Sequence, residues 1–567
     1  MKLKIKECFI IGILLTLIFL PYVYAQEKNF DYIISNSEKW QDVYSSMLFA
    51  SLNKVDSDFL VTTAHGNILL NSINKKFRIR VITSRTNPYV FNYPSTIRNR
   101  GFAEPSEIIV NNANTELINE MPNIDSFIVV GDSYGFNAIA VAPYAVLTNS
   151  WVFLGNKVNI YDIDEILSKR NIKKLIIYGY VDKEVRNTLA KYNPEIIDNQ
   201  DRFKDNVQIL KKYREINPVK QIAFSNGEFI EKELMNGREP VLFTGKENVP
   251  TEISNYLKST DIEVGVLIGN DLVTAATNIK RSTGVNVMVK FARGARTETS
   301  GVSQVEGLDL FPIPSPYLKL TIHSIKYNKA TNLLEVTYKS DSNAPAYLKG
   351  TFTINAGGER IRLGDIDALF IAPGDFKTIL YSVNLTYTDS IIAEVYTLFG
   401  ETPSSLDRVL TGTINVSVIE VLDRCKFSRE DIKFVKYSKQ KKAFIIRIKN
   451  PNPIDCYIDL ELNDIIIGYT KKNVVTGIPI LILSKKTKDI TIKEELDDSD
   501  LEKNDYIKMT LYYGEREDIL VNKLVIDKIK LGIETLSFLT YVIIILIVII
   551  IILIIIIFLI KRKEKED

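Results

Sequence analysis

Two stretches decide the fold, Asp31-Tyr-Ile-Ile-Ser-Asn-Ser37 and Ser126-Phe-Ile-Val-Val-Gly-Asp132. Each is a short apolar run that ends in small polar residues, and 95 positions separate the two. The segments that follow keep the same offset, with helix-like residues 40–50 lying over 135–145 and further strands near Asp58 and Trp151. Strands that alternate with helices predict parallel sheets covered by helices.

A third copy starts at Gln221-Ile-Ala-Phe-Ser-Asn-Gly and continues to Pro240-Val-Leu-Phe-Thr-Gly245. We therefore predict three tandem α/β units, over residues 26–124, 125–219 and 220–312. They are called units one, two and three below, and together they form the head.

This order of elements resembles the second type of cell-wall-binding repeat, which occurs in triplicate in bacterial surface-layer proteins and related archaeal surface proteins. The best matches are Pro240-Val-Leu-Phe-Thr244, Val266-Leu-Ile-Gly269 and Gly135-Phe-Asn-Ala-Ile-Ala140. Unit one departs from the pattern, because its segment 87–94 is interrupted by proline. The resemblance covers about half of the chain. It implies a head of three α/β units and retention of the protein on anionic wall polymers.

The Pro-rich stretch 310–316 predicts a boundary, because proline stops both helices and central strands. Beyond it, apolar residues alternate with polar ones, as in Leu334-Glu-Val-Thr-Tyr338. Lys326-Tyr327 and Lys436-Tyr437 begin a repeat with an offset of 110 residues. We predict two immunoglobulin-like β-sandwiches over 313–420 and 421–530, forming a stalk. The predicted fold class is thus multidomain, α/β followed by all-β.

The two ends of the chain predict targeting segments. A basic start, a short apolar run and Ala25 are typical of a signal peptide over residues 1–25, with an uncleaved anchor as the alternative. Residues 538–560 are uncharged and long enough for a transmembrane helix, and the basic residues in 561–567 predict a cytoplasmic tail. These features predict a single-pass cell-membrane protein with a large extracellular region, held in the lipid bilayer by its C-terminal helix.

The charge balance and the scarcity of some residue types limit the function. The 71 basic and 69 acidic residues give a net charge of +2, which argues against nucleic acid as a partner. Two histidines and three cysteines cannot build a His-rich or all-cysteine metal site, so we expect no metal and no cofactor. The Ile- and Lys-rich, cysteine-poor composition favours an archaeal source, with bacteria of similar composition as the alternative.

Cys425 and Cys456 lie in the second predicted sandwich, where an oxidising compartment favours a disulfide over two buried thiols. Asn384-Leu-Thr and Asn415-Val-Ser are glycosylation sequons in the first sandwich. The sequence predicts one bridge and two surface asparagines that are candidates for glycans.

Gly131-Asp132-Ser133-Tyr134-Gly135 lies between a predicted strand and helix, where backbone N–H groups can hold an anion. It also spells the Gly-x-Ser-x-Gly of a hydrolase nucleophile elbow, which requires a histidine later in the chain. The downstream candidate is His323, inside a predicted sandwich strand, whereas His65 precedes the serine. A tight turn that needs glycine is the favoured interpretation.

Arg293 and Arg296 follow the last strand of unit three and could bind carboxylates, phosphates or uronic acids. A solvated loop, or an arginine that docks the head onto the stalk, is the favoured alternative. Asp271, like Asp132, follows a strand and is a candidate catalytic carboxylate. The acidic run 494–502 lacks the glycine and spacing of a calcium loop, so we predict a solvated sandwich loop.

Three functions remain open. The first is a structural protein of the cell envelope or surface layer, with an envelope polymer, a glycan or another surface-layer protein as its partner. The second is a receptor or adhesin that binds a glycan or protein near Arg293 and Arg296. The third, a surface hydrolase, is disfavoured because Ser133 lacks a convincing histidine. A homo-oligomer is compatible with all three.

Overall fold

The computed structural model describes residues 29–269, 272–290, 309–386, 389–534, 546 and 549–555. Within these ranges, parallel α/β sheets occupy the N-terminal part and antiparallel β-sheets follow them. The predicted order of α/β and all-β regions is therefore confirmed.

The three α/β units each contain four parallel strands. Unit one has β1 (Tyr32–Asn36), α1 (Trp40–Leu52), β2 (Asp56–Phe59), α2 (His65–Leu69), β3 (Ile79–Ser84), α3 (Tyr93–Asn99), β4 (Ser106–Val110) and α4 (Ala113–Glu116). Unit two has β5 (Ser126–Gly131), α5 (Phe136–Leu147), β6 (Ser150–Gly155), α6 (Ile160–Ser168), β7 (Lys174–Tyr178), α7 (Lys183–Leu189), β8 (Glu195–Ile197) and α8 (Arg202–Ile216). Unit three has β9 (Gln221–Ser225), β10 (Phe229–Ile230), α9 (Lys232–Met235), β11 (Val241–Phe243), α10 (Thr251–Lys258), β12 (Val264–Ile268), α11 (Val273–Thr283) and β13 (Asn286–Lys290).

The three parallel sheets share one topology, with strand orders β2-β1-β3-β4, β6-β5-β7-β8 and β11-β9-β12-β13. The first strand of each unit is central, and the second strand lies at one edge. In β5, Phe127 to Val130 are buried on both faces of the sheet, which explains why the strand is a continuous apolar run.

One large hydrophobic core runs through all three units of the head, and unit one has a second, separate cluster that includes Ile34 and Val81. Helices α1, α5 and α9 each follow the first strand of a unit, and they contact one another pairwise. Helix α1 is buried on all sides over residues 42–50, which places it inside the head. The Tyr44 hydroxyl also donates to the Ala138 carbonyl of α5 at 3.0 Å. The three units are therefore joined around their first helices.

A repeated asparagine clamp joins successive units. Asn114 of α4 donates to the Val152 carbonyl at 2.8 Å and accepts from the Leu154 N–H at 2.9 Å. Its counterpart Asn206, in α8, donates to Val241 at 3.0 Å and accepts from Phe243 at 2.7 Å. Both side chains hydrogen-bond to backbone groups on the unpaired edge of the next unit's second strand. Backbone groups on a buried sheet edge require such partners.

The C-terminal part forms two sandwiches, each made of a four-stranded and a five-stranded sheet. The first contains β15 (Leu320–Asn328), β16 (Leu333–Ser340), β17 (Ala346–Ala356), β18 (Glu359–Gly364), β19 (Leu369–Ile371), β20 (Phe376–Ser382), β21 (Ile391–Gly400), β22 (Arg408–Asn415) and β23 (Ser417–Ile419). The second contains β24 (Ile432–Ser438), β25 (Ala443–Lys449), β26 (Cys456–Ile467), β27 (Thr470–Val475), β28 (Ile480–Ile482), β29 (Thr487–Lys493), α12 (Asp498–Lys503), β30 (Tyr506–Gly514), β31 (Asn522–Lys530) and β32 (Gly532–Ile533). Before them, β14 (Phe311–Pro312) pairs with β10 of unit three.

Both sandwiches contact the head. The loop after β21, residues 401–407, contacts unit three, and the corresponding loop after β30 contacts the first sandwich through Arg516, 2.9 Å from Glu335. Lys183 of unit two pairs with Asp497 of the second sandwich. The head and the two sandwiches therefore contact each other pairwise.

The predicted membrane topology is corrected by the structure. Within the described ranges, no helix is both long and apolar enough to cross a bilayer. Of the predicted segment 538–560, the structure describes residue 546 and the helical residues 549–555. The prediction of a single-pass cell-membrane protein held in a lipid bilayer is therefore wrong. The signal peptide at 1–25 and the tail at 561–567 lie outside the described residues.

Candidate functional site: the strand-end faces of the head

Parallel sheets bring the carboxyl ends of their strands to one edge, where α/β proteins bind ligands. Each unit of the head therefore has one such edge, which we call its strand-end face. The predicted site residues of unit two lie on this edge, and the three faces differ in what covers them.

Packing explains both glycines of the unit-two turn. A Cβ atom on Gly131 would lie 2.8 Å from the Tyr180 carbonyl oxygen, and one on Gly135 would lie 2.5 Å from Ile313. The Gly135 N–H donates to the Pro314 carbonyl at 3.1 Å. The linker before the first sandwich thus covers the N-terminus of α5, where the sequence suggested an anion site.

Asp132 and Ser133 lie beside each other at this turn. One Asp132 carboxylate oxygen accepts a hydrogen bond from the Asn156 side chain at 2.6 Å, which ties the turn to the end of β6. Ser133 is exposed. The carboxylate therefore fixes the loop, while the hydroxyl faces solvent.

The two histidines contact other groups. His65 is buried in unit one, with Nε2 lying 3.4 Å from an Asp309 carboxylate oxygen. His323, in β15, has its Nε2 2.9 Å from Asp518 and packs edge-on against Phe376. None of these contacts involves Ser133. The remaining predicted site residues, Asp271, Arg293 and Arg296, lie outside the described residues.

The strand-end face of unit three is filled by the chain itself. Residues 401–407 of the first sandwich, here called the docking loop, reach the end of β11. The Asn248 N–H donates to the Asp407 carbonyl at 3.2 Å, and the Asn248 side chain donates to the Leu406 carbonyl at 2.5 Å. The loop therefore occupies the position where a ligand would lie.

Arg202 anchors the docking loop electrostatically. Its side chain is buried, with Nε 3.2 Å from Glu401 and Nη2 3.3 Å from Asp407. It also donates to the Asn226 carbonyl at the end of β9. Burial raises the pKa of both Glu401 and Asp407, and the Arg202 charge opposes that rise. The arginine compensates carboxylates that would otherwise be costly to bury.

Asp201, the neighbour of Arg202, caps helix α8 and accepts hydrogen bonds from three hydroxyl groups of the docking loop. Its Oδ1 accepts from the Phe203 N–H, and its Oδ2 accepts from Thr402, Ser404 and Ser405 at 2.9, 2.6 and 2.7 Å. Burial alone would raise the Asp201 pKa, but the hydroxyl hydrogen bonds hold it below its ordinary value. The Asp201 carboxylate therefore caps helix α8 and also connects the head to the first sandwich.

Unit two is covered by the second sandwich as well as by the linker. Lys183, at the start of α7, pairs with Asp497 and lies 3.5 Å from Asp500. The Tyr469 hydroxyl donates to the Asn187 side chain at 2.8 Å. The acidic run, predicted to be a solvated loop, instead contains α12, which Asp497 and Asp500 begin with a reciprocal capping box.

The strand-end face of unit one is different. Of the residues that the structure describes, none from either sandwich is hydrogen-bonded or ion-paired to the ends of β1 and β3. Asn36 instead exchanges two hydrogen bonds with Val90 at 2.8 and 3.0 Å, which fixes the proline-interrupted loop across the face. Beside it, Phe91 is 83% exposed and Arg85 is exposed. This face therefore presents an aromatic ring and a cation to solvent.

A buried polar cluster connects unit one to unit three. The Tyr32 hydroxyl donates to Asp58 at 2.7 Å, and Lys232 lies 3.7 Å from the same carboxylate oxygen. Burial raises the Asp58 pKa, while Lys232 and the Tyr32 hydrogen bond oppose the rise. The cluster lies at the edge strand β2, so it closes the ring of three units.

The disulfide prediction is confirmed, because Cys425 and Cys456 are bridged with their Cα atoms 6.1 Å apart. Both sequon asparagines, Asn384 and Asn415, are exposed. Their glycosylation stays a prediction.

Sequence reasoning missed the residues that join the domains. Asp201 and Arg202 contact groups about 200 positions further along the chain, and no local pattern indicates such a pairing. The repeat of the two sandwiches could have indicated these contacts. Its matching stretches, Tyr396-Thr-Leu-Phe-Gly-Glu401 and Thr510-Leu-Tyr-Tyr-Gly-Glu515, each lead into a loop that contacts another domain.

Among known proteins, no family model and no curated protein matches the chain. Solved structures give distant likenesses. Cwp6 from Clostridium difficile is 12% identical with a TM-score of 0.33, over 46% of this chain and 54% of that one. Cwp8 from the same organism is 15% identical with a TM-score of 0.38, over 45% and 47%. The chain thus spans about half the length of these two structures.

Proposed function

We propose that the protein is a structural component of the cell envelope or surface layer, attached to an envelope partner through the strand-end face of unit one. One observation carries this proposal. The two sandwiches contact the strand-end faces of units two and three. On unit one, Asp309 reaches His65 after β2, while exposed Phe91 and Arg85 lie at the ends of β1 and β3. The repeated α/β head, which resembles cell-wall-binding repeats in sequence pattern, supports the same role.

The contacts between the head and the two sandwiches also support a structural role. The docking loop forms buried ion pairs with Arg202 of unit two and a hydrogen bond with Asn248 of unit three. The second sandwich contacts both the head and the first sandwich. Such an arrangement holds unit one's face at a fixed position relative to both sandwiches. A fixed face is what a protein within an ordered envelope layer needs.

The test is co-sedimentation of purified full-length protein with envelope fragments from the source organism. Replacing Phe91 and Arg85 together with alanine is expected to reduce the bound fraction at least fivefold, because an exposed aromatic ring and an arginine often dominate binding energy. The matched control is Tyr161→Ala, which removes a ring of unit two that is 64% exposed. Equal sedimentation of both variants and the unaltered protein would overturn the proposal.

A further inference from the structure

The first sandwich has a groove on the outward face of its β18-β17-β21-β22 sheet. The groove has a volume of about 540 Å³, and its lining includes Thr351, Thr353, Arg360, Arg362, Glu394 and Tyr396. Along β17, the threonines alternate with Phe352 and Ile354, which are fully buried in the core. Because alternate side chains of a strand point to opposite faces, the threonines line the outer surface.

The strand register brings the groove residues side by side. Thr353 pairs with Arg362 on one neighbouring strand and with Glu394 on the other. Thr351 pairs with Tyr396 in the next row. Directly paired side chains lie close enough to contact one ligand together.

The groove has an uncompensated positive charge. Glu394 accepts from Arg360 at 2.9 Å and from the Asn355 side chain at 3.1 Å, so both of its oxygens are used. Arg362 is exposed and, within the described ranges of the chain, has no ion pair. Its planar guanidinium can therefore bind an incoming carboxylate through two parallel hydrogen bonds.

Tyr396 adds an apolar platform beside this charge. Tyr396 is 47% exposed and lines the groove together with Thr351, its direct strand partner, and Thr353. An exposed ring offers flat contact area at low entropic cost, and hydroxyl groups can both donate and accept hydrogen bonds. The volume lies in the range of about 300–1,000 Å³ that is usual for small-ligand sites.

In the second sandwich, the sheet face that corresponds to the groove binds a cation from the first sandwich. There the outward residues Asp459, Glu461 and Tyr512 are covered by Lys377 of the first sandwich. The Lys377 ammonium lies 3.4 Å from Glu461 and 3.6 Å from the centre of the Tyr512 ring. An acidic face with a tyrosine thus holds a cation, whereas the corresponding face of the first sandwich has excess basic charge.

We infer that the groove of the first sandwich binds a carboxylate-bearing saccharide. Arg362 pairs with the sugar carboxylate, Tyr396 packs against the C–H face of the ring, and the two threonines bond its hydroxyl groups. This inference goes beyond the proposed function, because it uses no residue of the head.

The test is calorimetric titration of the full-length protein with trigalacturonate and with the neutral galactotriose. Trigalacturonate is expected to bind at least tenfold more tightly than galactotriose. Arg362→Ala is expected to weaken trigalacturonate binding about tenfold, the loss of a charge-assisted hydrogen bond. Tyr396→Ala is expected to weaken binding of both sugars several-fold. The matched control is Arg281→Ala, which removes an exposed arginine of α11.

Three outcomes would overturn the inference: equal affinity for the two sugars, no binding of trigalacturonate at millimolar concentration, or an equal loss in the Arg281 and Arg362 variants. Thermal unfolding of each variant checks that the sandwich is intact. Because the envelope assay depends on Phe91 and Arg85, its result and the result of this titration are independent of each other.

Discussion

The Lys377 ammonium lies 3.4 Å from the Glu461 carboxylate, and this buried ion pair joins the two sandwiches. The pair is part of a larger cluster, because Asp375 and Asp459 are buried beside it. Desolvation opposes the charged form of Lys377, yet nearby Tyr512 and Glu461 raise its pKa. The contact therefore depends on one cation that faces several acidic groups.

Replacing Lys377 with methionine is expected to destabilise the sandwiches by about 3–5 kcal/mol, because buried carboxylates would lose their only close cation in the described part of this cluster. Differential scanning calorimetry should show a lower transition temperature for the sandwiches. The control is Lys339→Met, a half-exposed lysine of the same sandwich. An unchanged transition in the Lys377 variant would show that the pair contributes nothing.

The same cluster predicts that stability falls with rising pH. Desolvation, together with the Asp459 charge, raises the pKa of Asp375 from 3.8 to about 8. A folded-state pKa above the unfolded value stabilises the protein fully below about pH 4, and this stabilisation is lost as the pH rises through about 8. The calorimetric transition of the sandwiches should therefore shift downward as the pH rises from about 4 to about 8. Asp375→Asn should flatten that dependence, and a slope equal to that of the unaltered protein would contradict the prediction.

Removing one asparagine clamp is expected to loosen the head. Asn206→Ala leaves the buried Val241 carbonyl and the Phe243 N–H without their side-chain partner, a loss of about 1–3 kcal/mol for each group. Hydrogen exchange followed by mass spectrometry should show faster exchange in β11. Asn171→Ala, at an exposed position of unit two, serves as the control and should exchange like the unaltered protein.

Reducing the disulfide is expected to destabilise the second sandwich. Cys425 and Cys456 close a loop with a sequence separation of 31, which is worth about 3–4 kcal/mol in the chain-entropy account. A variant with both cysteines replaced by serine should unfold at a lower temperature than the oxidised protein. If reductant lowers the transition of that serine variant as well, the effect has another source.

The favoured non-catalytic interpretation of Ser133 predicts no covalent labelling. A fluorophosphonate probe reacts with serines that an adjacent base activates, whereas His65 contacts Asp309 and His323 contacts Asp518. Mass spectrometry of the treated protein should find Ser133 unmodified. Stoichiometric labelling that is lost in Ser133→Ala would restore the hydrolase hypothesis.

The repeated α/β units and the paired sandwiches could be predicted because their signals are local. Apolar runs such as Phe127–Val130 and the alternation in Leu334–Tyr338 depend only on neighbouring residues and on the period of a strand. The Cys425–Cys456 bridge followed from the presence of two cysteines in one predicted domain.

The contacts between domains could not be predicted in this way. Asp201 is an ordinary helix cap in sequence, and nothing near it indicates three hydroxyl donors from the docking loop. The groove of the first sandwich was missed for the same reason, because Arg362, Thr353 and Glu394 meet only through the pairing of three strands. The acidic run was misread because its charges suggested a solvated loop, whereas the capping box of Asp497 and Asp500 starts a helix.

The second sandwich contacts both the head, through Lys183, and the first sandwich, through Arg516. A tensile force that acts between unit one and the end of the second sandwich therefore divides between two mechanical routes. One route runs through the docking loop and the first sandwich, and the other passes directly from unit two to α12. Rupture of either joint alone leaves the other intact, so the molecule resists stretching in two steps and does not extend at its weakest contact.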